Sequence, residues 1–136
     1  METKTTIIDK LAWLEIVDGK ILVARSKGKD TFYIPGGKRE PGESDDEALM
    51  REIEEELSVA LLPNSLEYYG TFEAQAHGKP EGVVVQMTCY WGKYQGKIEP
   101  ASEIEEIRWL NFADKQLVSR VDRLIFDDLL SKGLLS

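Results

Sequence analysis

Apolar positions along this chain change period several times, and each change marks an element. "TIIDKLAWLEIV" and "KILVARS" are rich in β-branched and aliphatic residues, and the Asp18-Gly19 pair between them supplies a tight turn, which predicts a β-hairpin. A short strand, "TFYI", then runs into a Pro-Gly-Gly loop. The period switches at Ser44. Leu49, Ile53 and Leu57 recur at i, i+4 and i+8, the apolar stripe of an amphipathic helix. Ser44 with Glu47 forms a capping box, and Asp45, Asp46 and Glu47 put negative charge at the amino end of the helix dipole. Pro63 and Asn64 mark the exit. Strands are predicted for "SLEYYGTFEAQA", "GVVVQMTCYWGKY" and "EIRWL". The closing "SRVDRLIFDDLLSKGLL" has Leu124, Ile125, Leu129 and Leu130 at helical spacing, with Ser119 and Asp122 as a second capping box. Strands, helix, strands, helix imply a mixed sheet flanked by helices, in the α/β or α+β class.

At 136 residues the chain reads as a single domain, 1–136, with an ordinary globular composition. Its formal net charge of -8 argues against a nucleic-acid polymer as partner, since such proteins carry a basic stripe. Charged residues interrupt every short apolar run of the first 19 positions, so neither a signal peptide nor a membrane span is expected, and the protein is read as cytoplasmic. The single cysteine, Cys89, sits in an apolar run and is expected to be buried. His77 falls in a polar loop, and one histidine excludes a zinc site that needs two.

One charge pattern changes the picture. Glu52, Glu54, Glu55 and Glu56 crowd one helix, where like charges three or four apart repel by roughly 0.2–0.5 kcal/mol per pair. At about 100° per residue, Glu52, Glu55 and Glu56 share an arc of roughly 100° beside the apolar stripe, and Glu54 points elsewhere. Such a face is either solvated surface or a set of hard oxygen ligands for a divalent cation such as Mg²⁺. The preceding "PGGKREPGE" offers glycines for close backbone approach to a phosphate, or for a carbonyl ligand to a metal. Lys38 in that loop and Arg25 at the end of the second strand could each meet a phosphoryl oxygen.

Residues 37–59 resemble the signature of the Nudix hydrolases, or MutT-like proteins: G-x5-E-x7-R-E-U-x-E-E-x-G-U, with U a bulky aliphatic residue. Gly37, Glu43, Arg51, Glu52, Ile53, Glu55, Glu56 and Val59 occupy the required positions, and Ser58 stands where the family has glycine. The resemblance implies a Nudix-type α/β/α sandwich with a mixed central sheet. It also implies a Mg²⁺- or Mn²⁺-dependent hydrolase that cleaves a diphosphate linkage in nucleoside diphosphate derivatives. By position, Gly37, Glu52, Glu55 and Glu56 would hold metal, Glu52 would orient or deprotonate water, and Glu43 would pair with Arg51. Glu103, six residues before Trp109, matches a further acidic position that binds metal or acts as base, with Glu105 and Glu106 close by.

Related subfamilies acting on ADP-ribose or dinucleoside polyphosphates carry a Pro or Tyr in a region that reads "EAQAHG" here. Its absence points to a small nucleoside triphosphate pyrophosphatase that releases a monophosphate and pyrophosphate. Nucleotide sugars and ADP-ribose stand as alternatives, as does a sensor that binds a nucleotide without cleaving it. Phe72, Tyr68 and Tyr69 are candidates for stacking on a base or for core packing. Ser119 and Asp122 would contact a base edge or cap the last helix. The expected partner is a small nucleotide, and the chain is expected to be a monomer or, through the exposed edges of its first hairpin, a homodimer.

Overall fold

The structure, a computed structural model, describes residues 6–76 and 78–136. His77 lies outside the described residues. In chain order the strands are β1 (Thr6–Leu14), β2 (Ile16–Val17), β3 (Lys20–Ser26) and β4 (Gly36–Lys38), followed by helix α1 (Asp45–Leu57). Next come β5 (Ala60–Leu61), β6 (Glu67–Gln75), β7 (Val83–Trp91), β8 (Tyr94–Gln95), β9 (Ile104–Leu110) and helix α2 (Arg120–Ser131).

The order β4-β1-β7-β6 forms a mixed sheet, with β1 parallel to β7 and antiparallel to β4, and β2-β3-β9 forms a second, antiparallel sheet. Strand periodicity then builds two cores, because successive side chains leave a strand on opposite faces. Leu11, Trp13 and Leu22 meet Leu49, Ile53 and Leu57 of α1 on one face. Ala12, Leu14, Ile21 and Val23 meet Val121, Ile125, Phe126 and Leu129 of α2 on the other. The result is the expected α/β/α layering.

Several local expectations are corrected. The hairpin is short: Asp18 and Gly19 are both left-handed (φ 53° and 76°), as a tight turn requires, but only Ile16 and Val17 pair with β3. After Glu15 the chain has changed sheets, and β1 pairs along its whole length with β7 instead. The hairpin whose exposed edges suggest a homodimer is therefore reduced to two paired positions. "TFYI" contributes only isolated bridges, Tyr33 to Ala24 and Phe32 to Val118. On α2, Leu124 and Leu130 are exposed, and Val121 and Phe126 take the core positions. Cys89 is buried, and burial pushes its thiol pKa up. Among the described residues no helix is long and apolar enough to cross a membrane.

Candidate functional site

Helix α1 begins as its sequence predicts. Ser44 Oγ accepts the Glu47 N–H, and the Glu47 carboxylate accepts the Ser44 N–H at 3.0 Å. The helix ends at Ser58, which is left-handed (φ 63°, ψ 21°) and donates its N–H to the Glu54 carbonyl at 3.1 Å. The glycine expected there would suit this conformation. Serine adopts it at a cost, and the helix closes regardless.

Burial of Leu49, Ile53 and Leu57 sets the helix rotation and turns Glu52 and Glu56 toward β4. Strand β4 is pinned beside β1 by the register Leu11 to Gly37 and Ala12 to Gly36, and the Pro35 carbonyl accepts the Trp13 N–H at 2.9 Å. Gly36 is obligatory on two counts: its φ is 147°, and a Cβ there would lie 1.9 Å from the Leu11 carbonyl oxygen. Its N–H donates to Glu56 Oε1 at 2.9 Å. At Gly37 a Cβ would fall 2.5 Å from the Glu52 carboxyl carbon. The two glycines thus bring bare backbone against two of the crowded glutamates.

Glu43 and Arg51 form the expected pair, bidentate, with Arg51 Nε to Glu43 Oε2 at 2.8 Å and Nη2 to Oε1 at 2.9 Å. Arg51 also donates to Glu52 Oε1 at 2.9 Å and to the Lys38 carbonyl at 3.1 Å. One guanidinium therefore ties the loop, the helix and a candidate ligand together. The Arg51 hydrogen bond holds the Glu43 carboxyl down at about 2. Burial does the reverse at Glu52, which is raised despite Arg51, and pushes Glu56 up to about 7 against the pull of the Gly36 N–H. Glu55 is the outermost, with its side chain 55% exposed and 3.6 Å from Arg51 Nη1.

By donor type and charge these glutamates fit a divalent cation: hard oxygens, two of them in a partly dry setting, with three carboxylates sharing the single guanidinium of Arg51 and the Gly36 N–H. Among the described residues, however, no three acidic, cysteine or histidine side chains already converge as a metal cage. Glu103 is exposed in the loop before β9, and that loop docks on α1 through the Ala101 N–H to the Glu56 carbonyl at 2.9 Å.

Two groups of residues are not brought to the site. Arg25 donates to Glu105, Glu106 and the Lys29 carbonyl at 3.3, 3.1 and 2.8 Å. Its neighbours Ala24 and Ser26 line the cleft, so Arg25 leaves the strand on the other side, and the phosphate-binding expectation for it is corrected. Phe72 stacks on Tyr69 at 6.3 Å and packs against the α2 core, and the Tyr69 hydroxyl donates to Asp128. Tyr68 is exposed, its hydroxyl bonded to Thr71. None of the three lines the cleft, so base stacking by them is corrected as well.

The second capping box is also absent. Ser119 is the N-cap of α2 by backbone, but its Oγ donates to Asp122 Oδ2 at 3.0 Å, and no helix N–H is capped by its side chain. Asp122 is fully buried, accepts the Ile34 N–H at 3.2 Å, and leaves Oδ1 without a partner. Burial raises its pKa to about 7. Asp122 therefore supports the wall behind Ser119 rather than reaching a ligand edge, whereas Ser119 does line a cavity.

Beside the glutamates lies a cavity of about 170 Å³ bounded by Lys10, Tyr33, Gly36, Gly37 and Glu56. Lys10, Tyr33 and Met87 also bound a second cavity, of about 190 Å³, that reaches the amino end of α2. Lys10 and Tyr33 are thus cleft residues that motif reading missed. A lone lysine inside "IIDKLAWL" was the available signal, since a charge in the middle of an apolar strand needs a reason. Burial lowers the Lys10 pKa, with Asp122 acting in opposition.

A NUDIX domain family model matches residues 11–127. An ADP-ribose pyrophosphatase of Methanocaldococcus jannaschii is 27% identical over 113 residues, which are 81% of this chain and 62% of that protein. Human nesprin-2 is 40% identical over 73 residues, 52% of this chain and 1% of that protein. The chain thus spans less than two thirds of the length of the curated relatives it matches. Among solved structures, a MutT NUDIX hydrolase of Burkholderia pseudomallei superposes with a TM-score of 0.74 at 22% identity, covering 90% of this chain and 97% of that one. A MutT protein of Methanosarcina mazei Go1 gives 0.75 at 18%, covering 97% and 99%. At these identities the superpositions speak to the fold.

Proposed function

We propose, from the premise that this chain belongs to the NUDIX domain family, that it hydrolyses a phosphoric anhydride bond in nucleoside diphosphate derivatives. The finer reading is a small nucleoside triphosphate pyrophosphatase that releases a monophosphate and pyrophosphate. One observation carries the proposal: Glu52 and Glu56 stand against the bare Gly36–Gly37 backbone, and Glu56 bounds a cavity together with both glycines. In this reading Glu52, Glu55 and Glu56, with the Gly37 carbonyl, hold a divalent cation, Mg²⁺ or Mn²⁺, and Glu103 is a further ligand or base. A bound cation of this kind polarises phosphoryl oxygens and makes water a better nucleophile.

The chain's own groups do the rest. Glu52, carried at a raised pKa, orients the attacking water and takes its proton. Arg51 and Glu43 hold Glu52 and the loop in register, acting through other residues rather than on the substrate. Lys38, at the end of β4, bounds the second cavity and meets a phosphate oxygen of the substrate from that side. Hydrolysis of nucleotide sugars or ADP-ribose is the second reading, and the M. jannaschii relative favours it.

A turnover panel tests both readings, with Mg²⁺, canonical and oxidised nucleoside triphosphates, ADP-ribose, nucleotide sugars and dinucleoside polyphosphates, and with Glu55→Gln alongside. Cleavage of one class by the native protein, lost in a folded Glu55→Gln, supports the proposal, and the released fragment identifies the phosphorus attacked. Binding of nucleotide and metal with no turnover anywhere in the panel sinks it and leaves a sensor.

A further inference from the structure

The second cavity is cationic in a protein whose net charge is -8. Lys10, Lys38, Lys79 and Arg120 all line it, together with Gln75 and Ser119, and no carboxylate does. None of the four cations makes a salt bridge among the described residues. The contrast among arginines is sharp: Arg25, Arg39, Arg51, Arg108 and Arg123 each donate to a protein acceptor, and Arg120 alone among those described does not. Lys10 and Lys38 are direct cross-strand partners in the β1–β4 register, an arrangement of like charges that destabilises a sheet unless something answers it.

The carboxylates nearest this group accept hydrogen bonds elsewhere. Asp122, behind Ser119, is bonded through Oδ2 to Ser119 and Ile34 and acts on Lys10 only through space, Glu52 accepts from Arg51, and Glu56, which bounds the other cavity, accepts the Gly36 N–H. At the far end, Ser119 has turned its hydroxyl to Asp122, so the first N–H groups of α2 carry no side-chain cap. Four cations without a salt-bridge partner, a lining of Ile8, Val85 and Met87, and an uncapped helix start make a poor seat for a neutral base and a good one for a phosphate, even with Lys10 Nζ over the Tyr33 ring at 5.6 Å.

We propose that this second cavity holds a phosphate carried by the part of the substrate beyond the cleaved diphosphate, so that the preferred substrates are diphosphate derivatives whose sugar bears a further phosphate. The inference rests on the hydrolase reading for the cleaved bond, and on the cavity alone for the extra anion. Lys10 stands at the junction, bounding both cavities, and links the two anions.

Calorimetry with Mg²⁺ present and probes that have no anhydride bond separates this proposal from turnover. Adenosine 5′-monophosphate is compared with adenosine 2′,5′-bisphosphate and adenosine 3′,5′-bisphosphate, with ADP as a control for a longer phosphate tail. The native protein should bind one of the bisphosphates at least about tenfold more tightly than the monophosphate, and the ratio should collapse toward one in Arg120→Gln and fall in Lys79→Gln. No preference for either isomer, or a preference that both variants leave intact, overturns the proposal. So does a preference for ADP alone, which would assign the cations to the polyphosphate tail. If the bisphosphate preference holds while the turnover panel stays silent, the cavity assignment survives and the hydrolase reading falls.

Discussion

Gly37→Ala should separate activity from stability. Gly37 is not among the glycines with positive φ, so alanine can adopt its backbone without strain. The added Cβ would lie 2.5 Å from Glu52 Cδ and Oε2, whereas such contacts become ordinary only near 3.4 Å. The carboxylate must therefore withdraw by about 0.9 Å, which the end of a flexible side chain does for about 0.5–1.5 kcal/mol. Loss of glycine's freedom in the unfolded chain offsets roughly 0.4–1 kcal/mol of that, leaving net stability within about 1 kcal/mol of the native protein. A reactive group misplaced by about 1 Å costs on the order of 100-fold in rate. Urea unfolding together with initial-rate kcat/KM on the best substrate of the panel reads both quantities. Activity within about threefold of native would show that the Gly37–Glu52 approach has no role in positioning. A stability loss above about 3 kcal/mol would show that the backbone, and not the side chain, yields. Gly36→Ala is the contrast: its Cβ would meet the Leu11 carbonyl at 1.9 Å, backbone against backbone, and the fold itself should suffer.

Ser58→Gly should stabilise the chain by about 0.5–1 kcal/mol, the left-handed cost of roughly 1–2 kcal/mol less glycine's entropic penalty, and raise Tm by about 2–3 °C in a thermal melt. An unchanged or lower Tm would refute the strain at that cap. The metal-free protein should lose stability as pH rises from 5 to 8. Burial raises the Glu56 and Asp122 carboxyls to about 7, so the folded state holds protons that the unfolded chain has released, and that contribution is complete below about pH 4 and gone above about pH 7. Asp122→Asn keeps an acceptor for Ile34 and Ser119 but cannot ionise, so its urea-stability profile in chelator should be shallower than the native one, and parallel profiles would contradict the assignment. Arg51→Lys cannot keep both bonds to Glu43 while reaching Glu52 and the Lys38 carbonyl, so Mg²⁺ affinity and kcat/KM should fall roughly tenfold or more, and values within twofold would remove Arg51 from the supporting role.

Much of the candidate site was legible because it is local. Helix α1 carries its own cap, stripe and carboxylate face within 14 residues, and its rotation follows from which positions are apolar, so Glu52, Glu55 and Glu56 could be placed on one edge before any partner was known. The Glu43–Arg51 pair was legible for the same reason, since the turn of the loop and two turns of helix bring the two together.

What the sequence left open depends on which strand pairs with which. The interruption at Glu15 reads as continuous β pattern, and only competition for partners sends β1 to β7 and β2 to β3, dissolving the long hairpin. Arg25 and the cleft-lining Ala24 and Ser26 differ by one position in a strand, a distinction that period-two geometry makes absolute once the sheet exists and that composition cannot resolve. Lys10, Lys38 and Arg120 lie on three separate elements, and no local pattern announces that an antiparallel pairing and a helix start will gather them around one cavity. The sequence by itself determined the carboxylate-bearing helix, whose forces act over neighbouring turns. The tertiary structure alone decided what that helix faces, because long-range pairing settles which charges share a cavity.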